Sequence, residues 1–250
     1  MVRAKGDYAS GGAPSPHDGP AGFLARVHRA ARNGNGPGSP PAPGAARLLG
    51  LDAVTLNLRA RDGHLELLWC DPGRGLGADL DTLQYTLGDG PTLESAQHGL
   101  FLDAPDVLAV DPARWPLFLP AAARTPLRAV FTRPLRLGAA LIGVLTGYRT
   151  TPGPLTPTQQ RDLHHLARSL RSLLLLPSDL ANADEETGLR LYRAEVHQAT
   201  GFLATELHVS LEEALLRLRA HAAARDQPLP DLAQSLLTRR LSPDIFDPVT

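Results

Sequence analysis

The chain has 250 residues, of which 43% are hydrophobic, and a formal net charge of −1 at pH 7. That length suits one large domain or two modest ones, and the near-zero charge excludes a global positive field that draws the whole molecule to nucleic acid or anionic lipid. One cysteine, Cys70, excludes an intramolecular disulfide and a multi-cysteine zinc site. We expect a cytoplasmic protein without a membrane span, since the run at residues 173–176 is too short to cross a bilayer.

The first 46 residues are dense in Gly, Pro, Ser and Ala, and this composition predicts a disordered tail over residues 1–46. From residue 51 apolar and polar residues alternate, which is typical of half-buried strands. The pattern predicts strands at 54–59, 64–70, 129–137 and 139–148, and helices at 80–87, 92–98 and 115–124. Strands and helices in this order predict an α+β domain with an antiparallel sheet.

A long helix is predicted over residues 156–175, with leucines at 163, 166, 170 and 173 spaced as in a short coiled-coil seam. The seam is a candidate homodimer contact; the alternative is that it packs on its own sheet. The polar, acidic stretch at 178–187 predicts a linker. The predicted organisation is therefore a domain at 47–177, a second domain at 178–241 and a short tail at 242–250.

Helical periodicity returns in the second domain. Apolar residues three to four apart over 192–207 predict one helix, and a capping box from Ser210 to Glu213 starts a second. A third helix follows Pro228. Three short helices can enclose one small core.

Three groups of residues in this domain occur in the order and spacing of a known family. They are Gln198, Ala199 and Gly201, then Ala214, Leu218, Arg219 and Ala222, then Leu229 and Ala233. In this combination, the chain from about residue 189 to 241 resembles the ANTAR output domain of bacterial transcription antitermination regulators. The family often carries Lys where this chain has Thr200.

The upstream domain shows a second resemblance. Its motifs are Gly88-Asp-Gly-Pro91, Arg114-Trp-Pro116 and Gly143-Val-Leu145. They look like the GAF sensor domain, which implies an antiparallel sheet flanked by helices and a pocket between them for a small-molecule ligand. The pocket lining that we expect is Leu56, Trp69, Leu87, Pro91, Trp115, Phe118 and Phe131. Gly88-Asp-Gly-Pro91 lacks the lysine of a phosphate loop and predicts a turn with a helix start.

The ANTAR resemblance implies binding to RNA stem-loops with short loops, presented as paired hairpins. The residues from 191 to 241 hold six arginines and six acidic residues, so net charge cannot supply the affinity. The candidate RNA-binding residues are His197, Gln198, Ala199, Thr200, Gly201, Arg219, Ala222, Arg225, Arg239 and Arg240. Gly201 stands inside a predicted helix, and either close packing of another helix or backbone approach to RNA explains it.

No cofactor and no metal site are predicted, and we expect no enzyme activity. Some GAF proteins reduce methionine sulfoxide, but that chemistry needs a resolving thiol beside the nucleophilic one. The two resemblances together imply a bacterial regulator that senses a signal through its GAF domain and binds RNA through its ANTAR domain to control transcription termination or translation. The alternatives are a DNA-binding regulator, because small helical domains often read the major groove, and a module that binds only protein.

Overall fold

The computed structural model describes residues 44–60, 63–174 and 193–247, except for the side chain of Leu173. The predicted tail up to residue 43 and the predicted linker at 178–187 lie outside these ranges. The strands are β1 (Ala53–Arg59), β2 (Leu65–Asp71), β3 (Leu102–Ala104), β4 (Ala129–Leu137) and β5 (Ala140–Arg149). The helices are α1 (Ala45–Leu48), α2 (Leu76–Leu87), α3 (Pro91–His98), α4 (Phe118–Ala122), α5 (Pro157–Leu174), α6 (Ala194–Leu207), α7 (Leu211–Ala224) and α8 (Leu229–Leu237).

The five strands form one antiparallel sheet in the order β2-β1-β5-β4-β3. The predicted α+β class is confirmed. The short edge strand β3 was not predicted. The chain also folds slightly earlier than the predicted boundary at 47, because Ala45 and Ala46 are buried and the Asp71 carboxylate accepts the amides of Gly44 and Ala46.

Helices cover both faces of the sheet, and the side chains of each strand point to these two faces in alternation. Val54 and Leu56 of β1 point to the face packed by α1 and α5. Thr55 and Asn57 point to the opposite face, where α2 lies. On that opposite face a second apolar cluster gathers around Trp115 and Phe118. The sheet domain therefore has two cores, one on each side.

Between β1, β5 and α2 the interior is polar. The Gln84 amide donates to the Tyr148 hydroxyl at 3.1 Å, and its carbonyl oxygen accepts the Thr92 amide at 2.8 Å. The Thr92 and Thr146 hydroxyls are 3.0 Å apart. Burial is the main cause that raises the pKa of Tyr148 to about 12. Hydrogen bonds among protein groups occupy this region.

The Gly88-Asp-Gly-Pro91 motif forms the predicted turn. Gly88 ends α2 in the left-handed conformation at φ 65°, and Pro91 stands in the first turn of α3. The Asp89 carboxylate accepts the amides of Leu117 and Phe118, each at 2.9 Å. The motif therefore holds α2, α3 and the start of α4 together.

The predicted leucine seam on α5 packs on its own sheet. Leu163, Leu166 and Leu170 are buried in the cluster that contains β1 and β4 residues. Their side chains are not available to a partner helix, so the expected homodimer contact is wrong at these three positions. The alternative, packing on the sheet, is what the structure shows for them.

Helices α6, α7 and α8 enclose a separate small core. The Ser210 hydroxyl caps α7 by accepting the Glu213 amide at 3.1 Å, while the Glu213 carboxylate accepts a hydrogen bond from Arg217 at 2.7 Å. The predicted tail after residue 241 is wrong in part, because a 3-10 turn (Pro243–Phe246) continues the fold. Phe246 is buried there beside the His221 ring.

Gly143 on β5 tests the sheet packing. A Cβ at this position would lie 2.2 Å from the backbone oxygen of Asn57 on β1, which a sheet can accommodate only by separating the strands. We expect Gly143→Ala to lower the free energy of unfolding by about 1–3 kcal/mol in urea denaturation. Gly73→Ala is the matched control, since nothing lies within 4 Å of its added Cβ. Equal stability of the two variants would contradict this packing.

Candidate functional site

The helical domain rests on the C-terminal half of α2 and the edge of β2. We call this surface the interdomain contact. Its residues in the sheet domain are Glu66, Asp81, Tyr85 and Thr86, and those in the helical domain are Arg193, His197, Arg219 and Leu229. Tyr85 belongs to the apolar cluster of the helical domain although α2 carries it. The two domains therefore share a packed boundary.

Arg193, just before α6, is the most buried cation of the interdomain contact. Its guanidinium pairs with the Asp81 carboxylate, and both side chains are 3% exposed. The same guanidinium lies 3.8 Å from the Glu66 carboxylate and 3.9 Å from the centre of the Tyr85 ring. A buried cation requires such partners, because removing it from water is costly.

The pKa of Asp81 is raised, and burial is the main cause. Arg193 and the Asn57 amide, which donates to Asp81 at 2.6 Å, act in the opposite direction. The carboxylate thus depends on its partners for its charge. Without Arg193, burial would act with less opposition and favour the protonated acid.

Two predicted RNA-binding residues lie in the interdomain contact. The His197 ring is 2.9 Å from a Glu66 carboxylate oxygen, and Arg219 donates to the backbone oxygen of Tyr85 at 3.0 Å. Arg219 also lies 5.1 Å from the Tyr85 ring centre, and burial lowers the pKa of its guanidinium. In this arrangement both residues contact the sheet domain, so the expectation that they face RNA is not met here.

Three further candidates are buried within the helical domain. Ala199 and Ala222 are fully buried in its core, and the Thr200 hydroxyl donates to the Val196 carbonyl of its own helix at 2.7 Å. The hypothesis that these small residues present a surface to RNA is wrong for them. Ala214 is buried in the same core.

Gln198, Gly201, Arg225, Arg239 and Arg240 remain accessible at least in part. No atom of the described residues lies within 4 Å of a Cβ added at Gly201, so close packing of one of the described helices does not explain this glycine. Gly201 therefore lowers the stability of α6 without a packing benefit from that part of the chain. Arg225 follows the end of α7, while Arg239 and Arg240 follow α8.

The predicted ligand pocket does not form as one site. Leu56, Trp69 and Phe131 lie in the cluster on the α5 face, whereas Trp115 and Phe118 lie in the cluster on the α2 face. The sheet stands between the two groups, because alternate residues of a strand point to opposite sides. Pro91 is buried at the start of α3, and Leu87 lines an interdomain cleft of about 690 Å³ instead.

Cys70 is buried. Burial is the main cause that raises the pKa of its thiol to about 11, so the reactive thiolate is scarce at neutral pH. Across the described ranges, His, Cys, Asp and Glu nowhere gather in a group of three that could hold a metal ion. No helix in those ranges has the length and apolarity to cross a bilayer.

Sequence reasoning missed Arg193, Asp81, Glu66 and Tyr85. Glu66 and Asp81 did carry a signal, since an acidic residue in an otherwise apolar strand or helix face needs a partner. The sequence does not say that the partner lies 112 residues away from Asp81. A long-range pairing of this kind is set by how the domains pack.

Residues 191–237 match the family model described as "ANTAR domain". The helical domain is therefore an ANTAR domain, which confirms the predicted resemblance. No curated protein matches the chain.

The solved structures similar to this chain include GAF domains. One is from an Acinetobacter phosphoenolpyruvate-protein phosphotransferase, with 12% identity, a TM-score of 0.45, and 62% of this chain and 92% of that chain covered. Another is a GAF domain of Synechocystis sp. PCC6803 in its photoproduct state, with 20% identity, a TM-score of 0.44, and 65% and 99% covered. A third is from Coxiella burnetii, with 14% identity, a TM-score of 0.42, and 64% and 95% covered.

Arg193→Ala tests the interdomain contact. It leaves Asp81 buried without its main cation, and we expect the free energy of unfolding to fall by about 3–5 kcal/mol at pH 7. This loss should shrink as the pH is lowered toward 5. Without Arg193 the folded pKa of Asp81 rises further above its unfolded value, so protonation at lower pH stabilises the variant more than the unchanged protein. Urea denaturation at both pH values measures this.

Arg124→Ala is the matched control. Arg124 pairs with Asp226 across the same two domains, but the side chains are 62% and 71% exposed. We expect a change of about 0–1 kcal/mol, as for other exposed ion pairs. If Arg193→Ala costs no more than Arg124→Ala, the buried pair does not hold the domains together.

Proposed function

We propose that this protein is a bacterial regulator that senses a signal through its sheet domain and binds RNA stem-loops through its ANTAR domain. RNA hairpins with short loops are the partners, and binding controls transcription termination or translation. The observation that carries the proposal is the ANTAR match over residues 191–237.

The accessible side of α6 supports RNA binding. Gln198, Gly201 and Thr205 are spaced three and four residues apart, so they lie along one stripe of the helix. Gln198 and Thr205 are exposed, and the space above Gly201 is open. A Gln side chain can hydrogen-bond an unpaired base, and a glycine lets a ligand approach the backbone closely. These directed contacts suit a domain with no excess positive charge.

Signal transmission is part of the proposal. In the described arrangement His197 and Arg219 contact Glu66 and Tyr85, so these contacts would compete with contacts to RNA. Release of the ANTAR domain from α2 would expose both. A signal acts on such an equilibrium only through its different affinity for the two arrangements.

The same proposal places the protein in the cytoplasm, without enzyme activity. A small molecule is the proposed signal. A homodimer is also proposed, with an interface that does not use Leu163, Leu166 and Leu170, since these are buried against the sheet.

Gly201→Ala separates RNA binding from folding. Alanine should raise the free energy of unfolding by up to about 1 kcal/mol, because it favours the helix and meets no neighbour. Its methyl group should also keep an RNA loop from the backbone and weaken retention of a paired short-loop hairpin in a gel shift by about tenfold. The variant should thus be more stable and bind less well.

Gly73→Ala is the control, since it adds a methyl group in open space away from α6. A duplex DNA of the same sequence is run beside the hairpin. Preference for the duplex would contradict the RNA assignment in favour of DNA binding. Absence of retention for both nucleic acids at low salt would leave only a protein-binding module.

The arrangement in which the ANTAR domain is docked on α2, called the closed state below, gives a second expectation. Arg193→Met removes the guanidinium but keeps an apolar side chain, and it should favour the released ANTAR domain. We expect tighter hairpin binding than in the unchanged protein, by about tenfold in the gel shift. Arg124→Ala serves as control and should leave binding within about twofold. Weaker binding by Arg193→Met would contradict a closed state that opposes RNA.

A further inference from the structure

Among the described residues, the ion-pair, hydrogen-bond and aromatic partners of the Arg193 guanidinium lie in the sheet domain. Asp81 and Glu66 supply two carboxylates, and the Leu65 backbone oxygen accepts a hydrogen bond at 3.5 Å. The Tyr85 ring covers the planar group at 3.9 Å. Carboxylate pairing and aromatic stacking are the two features that select a guanidinium over an ammonium. The sheet domain thus holds a complete receptor for a guanidinium, and Arg193 fills it.

Two buried acceptors of this receptor have no hydrogen bond among the described residues. They are Asn57 Oδ1, whose amide donates to Asp81, and Glu66 Oε2, which lies 3.8 Å from Arg193. Asn57 lines a cavity of about 10 Å³ together with Asp81, Tyr85 and Arg193. A buried acceptor without a donor costs free energy. The receptor therefore has acceptors that Arg193 does not use.

A larger cleft adjoins the receptor. It has a volume of about 280 Å³ and shares Leu65, Tyr85 and Leu93 with the small cavity. Its polar lining comes from Arg59, His64, Gln97 and Arg219. Arg219 belongs to the ANTAR domain, so the cation that the sheet domain itself offers to an anionic group in this cleft is Arg59, beside His64 and Gln97. Because the cleft and the small cavity share these lining residues, one small molecule with its guanidinium at Asp81 would place a carboxylate in the cleft.

We infer that the sheet domain binds a small guanidino acid, with its guanidinium between Asp81 and Tyr85 and its carboxylate in the adjoining cleft, in competition with Arg193. Such a molecule takes over the partners of Arg193, and Arg193 leaves with the ANTAR domain. The ligand class deepens the proposed sensing function and rests on it, but its binding can be measured without RNA.

Competition with a tethered group sets the affinity that can be observed. Arg193 belongs to the same chain, so its effective concentration at Asp81 is high. The apparent dissociation constant of a ligand equals its intrinsic constant divided by the fraction of molecules in which Arg193 has left the site. A variant without the guanidinium should therefore bind the ligand more tightly than the unchanged protein.

The test uses L-arginine and L-citrulline as probes on the full chain. Citrulline has the same length and the same carboxylate, but its neutral ureido group presents an oxygen where arginine has an N–H. Isothermal titration of Arg193→Met should give saturable binding of L-arginine, with citrulline weaker by about 100-fold or more, since a buried acceptor set rejects an analogue that lacks the donor. Agmatine, which lacks the carboxylate, should bind less tightly than arginine.

The matched control is Asp81→Asn in the Arg193→Met background, which keeps the shape of the site and removes the charge. It should lose arginine binding. Arg193→Ala is titrated beside Arg193→Met, so that one poorly folded variant does not decide the result. No binding of 10 mM arginine by a cooperatively folded variant, or equal binding of citrulline, would overturn the inference.

The unchanged protein supplies an independent measurement. The Leu229 amide donates to the Thr86 hydroxyl across the domains at 3.1 Å, so its hydrogen exchange reports release of the ANTAR domain. Saturating L-arginine should speed exchange of this amide several-fold, and citrulline should not. Unchanged exchange at saturation would mean that arginine does not displace Arg193. RNA binding can succeed or fail separately, because no RNA is present.

Discussion

The buried cation Arg193 forms the most deeply buried ion pair among the described contacts between the two domains. Burying Arg193 and Asp81 removes both from water, and this cost is offset only because Glu66, Tyr85 and Asn57 surround the pair. Buried ion pairs often add little net stability, but they tolerate few alternative geometries. The pair therefore fixes the position of the start of α6 on the sheet domain. The contacts of Arg219 and Leu229 with α2 depend on that position.

Local patterns predicted the positions of the longer elements. The three-to-four spacing in α6 and α7 follows from half-burial, and the structure confirms it. The alternation located β1 and β5 correctly, but the expected half-burial of these strands is wrong, because helices cover both faces of the sheet and the polar Thr55 and Asn57 are buried too. Strand β3 has only three residues, too few for a period to show. The segment after residue 241 was predicted as a tail, yet Phe246 reaches the ANTAR core. A segment this short, with prolines at 243 and 248, gives no periodic signal.

The site was harder to predict because its residues take partners from another domain. Arg219 has no acidic residue four positions away on α7, which made it a candidate for RNA, but its acceptor is the Tyr85 carbonyl on α2. The predicted pocket failed for a related reason. Its aromatic residues were apolar enough for a lining, but strand alternation divides them between the two faces of the sheet. Sequence spacing gives the face of one element, and domain packing determines what meets it.

The ANTAR domain has no excess of positive charge, so under the proposed function the interdomain contact would have a large effect on RNA affinity. A strongly basic domain would bind RNA through many phosphate contacts, and the loss of one or two would change affinity little. Between positions 191 and 241 there are six arginines and six acidic residues, so each arginine that contacts a phosphate or base would contribute a large share of the affinity. Arg193 and Arg219 are both engaged with the sheet domain in the described arrangement. Docking thus engages a third of these arginines, and under the proposed function this would make the docked and released arrangements differ in affinity for an anionic partner.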